Sequence, residues 1–225
     1  MGPLASAEFL KTIYEVCIDG REQEAPIVFL YSNPTVPDRT ECLLNGLRDP
    51  LLGSVVQALR QLHAMGAART LICCVTAHGL LPHLPDDLRS RLISLLDVIY
   101  ATVEQRRQRH LLICSNGTRK LGLFQEHPSW PSVSDYIVVP DDSDQNALHK
   151  MIYRVKQCSD PEEAMPYVKS LLRKYGVDSF IAGCTEMHLF ARRFDNCIDP
   201  LTIVAKQLAK ECHQKAQTAQ TIYRS

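Results

Sequence analysis

Short apolar runs alternate along the chain with longer stretches of helical periodicity. Each run is about five residues long and rich in β-branched or aromatic side chains, a composition typical of parallel strands that are buried on both faces. The runs predict strands at 27–31, 70–74, 110–114, 135–139 and 179–183.

Three of the intervening stretches carry helix signals. Residues 50–66 place apolar side chains on one stripe and end in a glycine, which suits the position after a helix. Residues 160–176 open with acidic side chains, close with basic ones and end in a glycine, and Pro166 is expected to bend this helix or delay its start. A final helix is predicted at 199–219. The alternation indicates an α/β fold, in which ligands bind beyond the C-terminal ends of the strands.

A pattern of strand, cysteine, threonine and histidine occurs twice. It is CVTAH at 74–78 and CTEMH at 184–188, and both cysteines lie where a predicted strand ends. Two similar α/β halves that face each other would place Cys74 and Cys184 on opposite walls of one cleft. The sequence therefore predicts two pseudo-symmetric α/β domains with mainly parallel sheets and an active site in the cleft between them.

The first residues of the chain resemble a later segment, but they lack the strand that precedes that segment. The segment MGPLASAEFLKTIYE at 1–15 resembles the one after the run at 110–114, where a loop of small residues leads into a helix. The later copy follows a predicted strand, and the first copy does not. Either the chain is truncated or this half lacks an opening strand, and truncation is the favoured interpretation.

Length and charge limit the classes of function. The 225 residues allow one large domain or two small ones, and 25 Lys and Arg balance 25 Asp and Glu to a net charge of zero. Without a basic stripe, the chain is a poor candidate for binding nucleic acid through phosphates. No apolar run approaches the roughly 18 residues of a membrane span, and the N-terminus lacks a basic segment followed by an apolar one. A soluble, cytoplasmic protein with no membrane partner is predicted.

Cysteine is frequent, with nine residues in all. The chain contains no C-x-x-C pair, which argues against a structural metal site. In a reducing compartment most thiols are small buried hydrophobic groups. Strand alternation points Cys73 away from Cys74 and into the core. The same buried role is expected of Cys17, Cys114 and Cys158.

The positions of Cys74 and Cys184 suit acid–base chemistry. A helix N-terminus and a neighbouring imidazolium both lower a thiol pKa, and each cysteine precedes a predicted helix with a histidine four residues on, His78 or His188. Two such thiols on opposite faces of a substrate carbon could remove a proton from one face and return one to the other, which is racemisation. Hydroxyls that would hold the substrate carboxylate are supplied by Thr76 and Thr185.

These motifs carry a resemblance to a known family. In order and spacing, over nearly the whole chain, the sequence resembles the aspartate/glutamate racemases, which are cofactor-independent amino-acid racemases. The residue after GCT is Glu186, whereas glutamate racemases usually have histidine there, so the resemblance points to the aspartate-racemase branch. The matching motifs are MGPLAS at 1–6, YSNPTVPDRT at 31–40, CVTAH at 74–78, GCTE at 183–186 and IDPL at 198–201.

The resemblance implies a domain division, an assembly and a substrate. The first α/β domain is expected at 1–97, completed by the C-terminal helix at 203–225, and the second at 98–202. Members of the family are commonly dimers, so a homodimer is expected. The implied reaction interconverts L- and D-aspartate, with glutamate left open as a substrate, and needs no cofactor. The lack of a glycine-rich phosphate-binding stretch argues against pyridoxal phosphate.

The resemblance also implies roles for individual residues. Cys74 would act as the base for the D-enantiomer and Cys184 as the base for the L-enantiomer. Arg39 would bind the side-chain carboxylate through parallel N–H donors, and Lys156 would lie beside the substrate carboxylate. The ligands of the α-carboxylate would be Thr76, Thr118 and Thr185. Candidates for tuning the thiols are His78, Glu186 and His188.

Two departures from the family keep alternatives open. Val75 stands where the family usually has asparagine, and the opening strand is absent. A related decarboxylase would need only one thiol, and a cis–trans isomerase of small dicarboxylates would use one cysteine as a nucleophile. A third alternative is a protein that binds a dicarboxylate without converting it.

Overall fold

The structure is a computed structural model that describes residues 2–18, 21–157 and 160–222. The prediction of a buried Cys158 lies outside the described residues. The N-terminal part of the chain packs helices around a short pair of strands. Its elements are α1 (Pro3–Cys17), α2 (Arg39–Leu44), α3 (Arg48–Ala64), β1 (Thr70–Leu71), α4 (Asp86–Arg89), β2 (Leu92–Ile93) and α5 (Leu95–Arg106), with 3₁₀ turns at Glu22–Glu24 and Thr76–His83.

The rest of the chain builds a larger sheet with helices on both faces. Its strands are β3 (His110–Cys114), β4 (Ile137–Val138), β5 (Phe180–Gly183) and β6 (Cys197–Ile198). Its helices are α6 (Asn116–Lys120), α7 (Trp130–Val133), α8 (Asp142–Lys156), α9 (Met165–Tyr175), α10 (His188–Ala191) and α11 (Pro200–Ile222). 3₁₀ turns occupy Ser134–Tyr136, Pro161–Ala164 and Thr185–Met187.

Both sheets are parallel. β1 pairs with β2, and the larger sheet has the strand order β4-β3-β5-β6. Its central pair runs in register from Leu111 opposite Phe180 to Cys114 opposite Gly183. Every residue of β3 and β5 is buried, as a parallel sheet covered on both faces requires. The prediction of an α/β fold with parallel sheets is confirmed.

The predicted strands differ in how well they match the structure. Residues 110–114 form β3 as predicted, and the runs at 135–139 and 179–183 contain the shorter β4 and β5. The strand predicted at 70–74 is too long, because the Cys74 N–H donates to the Ile72 carbonyl at 2.7 Å in a tight turn after β1. β2 and β6 are too short, at two residues each, for an apolar run to mark them.

The strand predicted at 27–31 is wrong. Its backbone has no regular structure, and Ile27 is 88% exposed. A strand requires a neighbour for its N–H and C=O groups, and no strand of the described chain pairs with this segment. Its apolar side chains instead line a cavity of about 950 Å³ that α1, α3, β1 and α11 also border.

Glycines end two of the predicted helices. Gly66 and Gly176 have φ angles of +97° and +60°, in the left-handed region that glycine enters freely. The helix predicted at 160–176 begins only at Met165, after a 3₁₀ turn, and has Pro166 in its first turn. The prediction that Pro166 would delay this helix is confirmed, because proline fits the first turn of a helix and no later one.

The helices cover the larger sheet from both sides. One face packs against α5 and α11, and the other face packs against α8 and α9. The last helix also returns to the start of the chain, where Ala205 and Ala209 of α11 pack with Ile13 and Cys17 of α1. Because helices cover both faces of the sheet, a binding site is expected at the loops that follow the C-terminal ends of the strands.

Candidate active site

Cys74 and Cys184 follow strands of different sheets. Cys74 lies in the tight turn after β1 and is half-buried, whereas Cys184 directly follows β5 and is 6% exposed. The two thiols interact electrostatically with each other and with the same cation, Lys156. The fold therefore brings together two residues that are 110 positions apart in the sequence.

Cys73 takes the buried role predicted for it. It packs in a core cluster with Leu95 and Leu112, while Cys74 packs against a different cluster around α3. Burial raises the Cys73 pKa to about 12, so this thiol stays protonated at neutral pH. Cys17 and Cys114 are also buried, as predicted.

The Cys184 thiol faces a buried carboxylate. Its Sγ–H donates to Oε2 of Glu186 at 2.8 Å. Burial raises the pKa of Cys184 well above its usual value, the negative charge of Glu186 raises it further, and Lys156 opposes both effects. The sequence predicted that a helix N-terminus would acidify this thiol, but only a three-residue 3₁₀ turn follows Cys184, and its pKa is raised.

Glu186 lies under the N-terminus of α1. The residue is 5% exposed, and a Cβ added at Gly2 would lie only 2.6 Å from its Oε1. Glycine at position 2 therefore leaves the space that the carboxylate occupies. The N-terminus of a 15-residue helix favours an anion, which offsets part of the cost of burying this charge.

Replacing Glu186 by Gln is expected to lower the pKa of Cys184. The amide preserves the size of the side chain and a hydrogen-bond acceptor, but it removes the negative charge that raises the thiol pKa. Iodoacetamide labelling of Cys184, followed by mass spectrometry across pH, should have its midpoint shifted to lower pH by about one unit. Labelling of Cys74 in the same samples is the internal reference, and Glu104→Gln on an exposed part of α5 is the control variant. A midpoint that stays in place or rises would contradict this assignment.

Arg39 places a guanidinium beside Cys74. It is the first residue of α2, whose N-terminus is capped by Asp38, the acceptor of the Glu41 N–H at 3.0 Å. One terminal NH₂ group donates to the Pro37 carbonyl at 3.3 Å. Burial alone lowers the Arg39 pKa, but hydrogen bonding and charge interaction with Cys74 raise it overall.

The Nε–H of Arg39 has no acceptor among the described residues, although the atom is buried. A buried donor without an acceptor costs free energy, and most such groups in proteins are satisfied. A carboxylate that accepts from Nε–H and a terminal NH₂ group would satisfy it, which is the geometry that arginine offers to carboxylates. The guanidinium is therefore available to an anionic ligand next to Cys74.

Lys156 connects the two parts of the site. Its Nζ lies 4.2 Å from the centre of the Tyr153 ring, one turn earlier on α8, and the Tyr153 hydroxyl donates to Oδ2 of Asp38 at 2.9 Å. Burial alone lowers the Lys156 pKa, but interaction with Cys184 and Glu186 raises it overall. Lys156 thus remains a half-buried cation. Sequence reasoning missed Asp38 and Tyr153, although Asp38 stands beside Arg39 in the same motif.

Three hydroxyls meet between the two sheets. Thr76 Oγ1 lies 3.0 Å from Ser115 Oγ and 2.9 Å from Thr118 Oγ1, and the last two atoms are 3.2 Å apart. All three residues are buried. The structure thus groups Thr76 and Thr118 as the sequence suggested, and adds Ser115, whose role as the N-cap of α6 was its only local signal.

Thr185 stands apart from this group. Its hydroxyl donates to the Cys73 carbonyl at 3.3 Å and links the loop after β5 to the end of β1. The hydroxyl proton is used in that bond, so the structure gives Thr185 a contact with the backbone rather than with the three hydroxyls.

His78 holds the backbone rather than the thiol. Its Nε2 accepts the Leu95 N–H at 2.9 Å, which leaves the proton on Nδ1, 3.0 Å from the Cys74 carbonyl. Burial lowers the His78 pKa to about 4. The ring is therefore neutral at neutral pH, and the expected imidazolium beside Cys74 is wrong for His78.

His188, which is fully buried, is part of a chain of polar side chains. Its Nδ1 lies 2.6 Å from Asp199 Oδ2, and its Nε2 lies 3.0 Å from Thr12 Oγ1. The Thr202 hydroxyl also donates to Asp199 Oδ2, at 2.6 Å. These bonds tie α1 to the start of α11 and occupy both ring nitrogens of His188.

Val75 belongs to the core. It is 1% exposed and packs in the cluster that also contains Cys73. The position that carries asparagine in the resembled family therefore contributes packing here. Among the residues that the structure describes, no three His, Cys, Asp or Glu side chains gather as metal ligands. No helix in that part of the chain is long and apolar enough to cross a membrane.

The fold and the site together define a class: a parallel α/β protein in which two thiols from different sheets share one site with two half-buried cations. Over residues 1–208 the chain matches the family described as Asp/Glu/Hydantoin racemase, and it belongs to that family. Membership of this family supports amino-acid racemase activity.

Solved structures show the same fold. The Picrophilus torridus aspartate racemase is 22% identical over 94% of this chain and 90% of that one, with a TM-score of 0.80. An aspartate racemase homologue from Pyrococcus horikoshii OT3 is 18% identical, with coverages of 94% and 95% and a TM-score of 0.62. Glutamate racemase from Campylobacter jejuni subsp. jejuni is 16% identical, with coverages of 94% and 83% and a TM-score of 0.56.

A curated protein is also similar in sequence to part of this chain. It is an uncharacterized protein in the pnlA 3′ region of Pectobacterium carotovorum subsp. carotovorum. The two are 28% identical over 109 residues, which is 47% of this chain and 71% of that one.

Proposed function

We propose that this protein interconverts L- and D-aspartate without a cofactor, by moving the α-proton between Cys74 and Cys184. The observation that carries the proposal is the unequal environment of the two thiols. The Cys184 thiol has a raised pKa and donates a hydrogen bond to Glu186, whereas Cys74 lies against the Arg39 guanidinium. The Cys184 thiol is thus kept as an acid, while the Cys74 thiol has a guanidinium beside it.

The proposed step removes one proton from the substrate and returns another to it. The Cys74 thiolate removes the α-proton from D-aspartate, and the Cys184 thiol donates its proton to the opposite face of the carbanion. The products are L-aspartate, a Cys74 thiol and a Cys184 thiolate. The reverse reaction begins from this second form, with Cys184 as the base. Lys156, which interacts with both thiols, is placed to stabilise the negative charge that develops on the substrate carboxylate.

A substrate with two carboxylates fits the charges of the site. Arg39 offers an unused N–H donor to the side-chain carboxylate, and Lys156 supplies a second cation. The hydroxyls of Thr76, Ser115 and Thr118 form a group of donors for the α-carboxylate. Glu186 in GCTE supports aspartate over glutamate.

The assembly belongs to the same proposal. A cytoplasmic homodimer, with domains divided at residue 97 and again at 202, rests on the resemblance to the family. Light scattering during size-exclusion chromatography measures the mass of the particle, and a mass of one chain would contradict the dimer.

The test is incubation with L-aspartate and, separately, L-glutamate, followed by chiral chromatography and proton NMR in heavy water. The protein is first dialysed against a chelator and hydroxylamine. We expect D-aspartate to accumulate towards equal amounts of both enantiomers, with deuterium at the α-carbon and a slower reaction for glutamate. Loss of carbon dioxide would indicate a decarboxylase, and absence of α-exchange a binding protein. Conversion of maleate to fumarate, in a separate incubation with maleate, would indicate a cis–trans isomerase. Each of these three results would overturn the proposal.

A further inference from the structure

A second pair of cysteines lies far from the site, where the first and last helices pack. Cys17 is the final residue of α1 and is fully buried. It packs with Ala205 and Ala209 of α11, and Cys212 follows Ala209 by three residues, on the same side of that helix. Helices that pack through alanines approach closely, because the side chains at a helix contact set the distance between the axes.

The two thiols lie near each other where α1 packs on α11, close enough to interact electrostatically. Burial first, and the neighbouring Cys212 second, raise the Cys17 pKa to about 11, so Cys17 stays protonated at neutral pH. Cys212 differs in access, because it is half-buried and lines the cavity of about 950 Å³.

We propose that Cys17 and Cys212 are a dithiol that a low-molecular-weight disulfide oxidises to a disulfide bond between α1 and α11. The difference in access sets the order of events. The Cys212 thiolate, which a small molecule reaches through the cavity, attacks the small disulfide and releases one equivalent of small thiol. Cys17 then loses its proton to solvent and attacks the Cys212 sulfur, which releases the second equivalent. Two protein thiols are oxidised, and one small disulfide is reduced to two thiols.

The bond would lie well away from the proposed chemistry. Cys17 ends a helix of 15 residues, so it lies about 20 Å from the N-terminus of α1, where Glu186 is found. A link between residues 17 and 212 closes most of the chain into one loop, which restricts the unfolded state more than a short loop does. The expected consequence is a more stable protein under oxidising conditions.

The test compares the full chain after treatment with oxidised glutathione and after treatment with dithiothreitol. Non-reducing peptide mapping should find a cross-linked peptide that joins Cys17 to Cys212. The unfolding temperature should rise by roughly 5–10 °C on oxidation and fall back on reduction. Neither measurement depends on racemase activity, so this inference and the proposed function fail separately.

Two serine variants make the test specific. Cys212→Ser should lose both the cross-linked peptide and the shift in unfolding temperature. Cys197→Ser should keep both, because Cys197 contacts the Ala191 carbonyl and lies in β6. Glutathione retained on Cys212 without a cross-link would overturn the proposal, as would a cross-link confined to Cys74 and Cys184. An equal shift in Cys212→Ser and the parent protein would do the same.

Discussion

Cys74→Ala and Cys184→Ala are each expected to abolish the interconversion of L- and D-aspartate, with kcat lowered by about 10⁴-fold or more. The proposed reaction needs a base on one face of the α-carbon and an acid on the other, so neither thiol can racemise alone. Residues that act as a unit are not additive, and the double variant should therefore be scarcely worse than either single one. Chiral chromatography measures all three variants.

Exchange with solvent separates the two thiols. Cys74→Ala keeps Cys184, so it should exchange the α-proton of L-aspartate in heavy water without inverting it, and faster at higher pH because the Cys184 pKa is raised. Cys184→Ala should show the corresponding behaviour with D-aspartate. Cys73→Ala is the matched control, expected to keep racemisation and to cost about 1–2 kcal/mol of stability at most. Substantial racemisation in either single catalytic variant would rule out a two-base mechanism.

The sequence was most informative where one local pattern decides the structure. The run at 110–114 is apolar at nearly every position, and only a strand buried on both faces uses such a run in full, which is the position of β3. The segment at 27–31 has a similar pattern but no strand to pair with, and pairing is not a local property. The early end of β1 depends on a single turn at Cys74 that leaves no composition signal.

The site shows the same division between local and long-range information. Spacing marked Cys74 and Cys184 because each follows a strand. Tyr153 escaped notice because its contact with Asp38 joins residues 115 positions apart. The histidines misled for a related reason: a histidine four residues after a cysteine can bond to the backbone carbonyl, as His78 does, as readily as it can face the thiol.

The remaining large effect concerns Arg39. Its buried Nε–H has no acceptor among the described residues, so the folded protein gains nothing from that donor until an anion arrives. A residue of this kind contributes more to binding than to folding. Substitutions of Arg39 should therefore weaken the binding of aspartate much more than they lower the stability of the protein.

Arg39→Ala is expected to lower kcat/KM for aspartate by roughly 10²-fold to 10³-fold, mostly through a higher KM, because a carboxylate left unpaired in a buried site is costly. Its free energy of unfolding should change by no more than about 1 kcal/mol, as for a residue without a structural bond at Nε. Arg39→Lys should recover only part of the loss, since an ammonium group cannot make two parallel bonds to one carboxylate. Arg48→Ala, which removes an exposed guanidinium, is the control and should leave both quantities near those of the parent. Chiral kinetics and urea unfolding measure the two effects, and a fall in stability that matches the loss of activity would assign Arg39 to the fold rather than to the substrate.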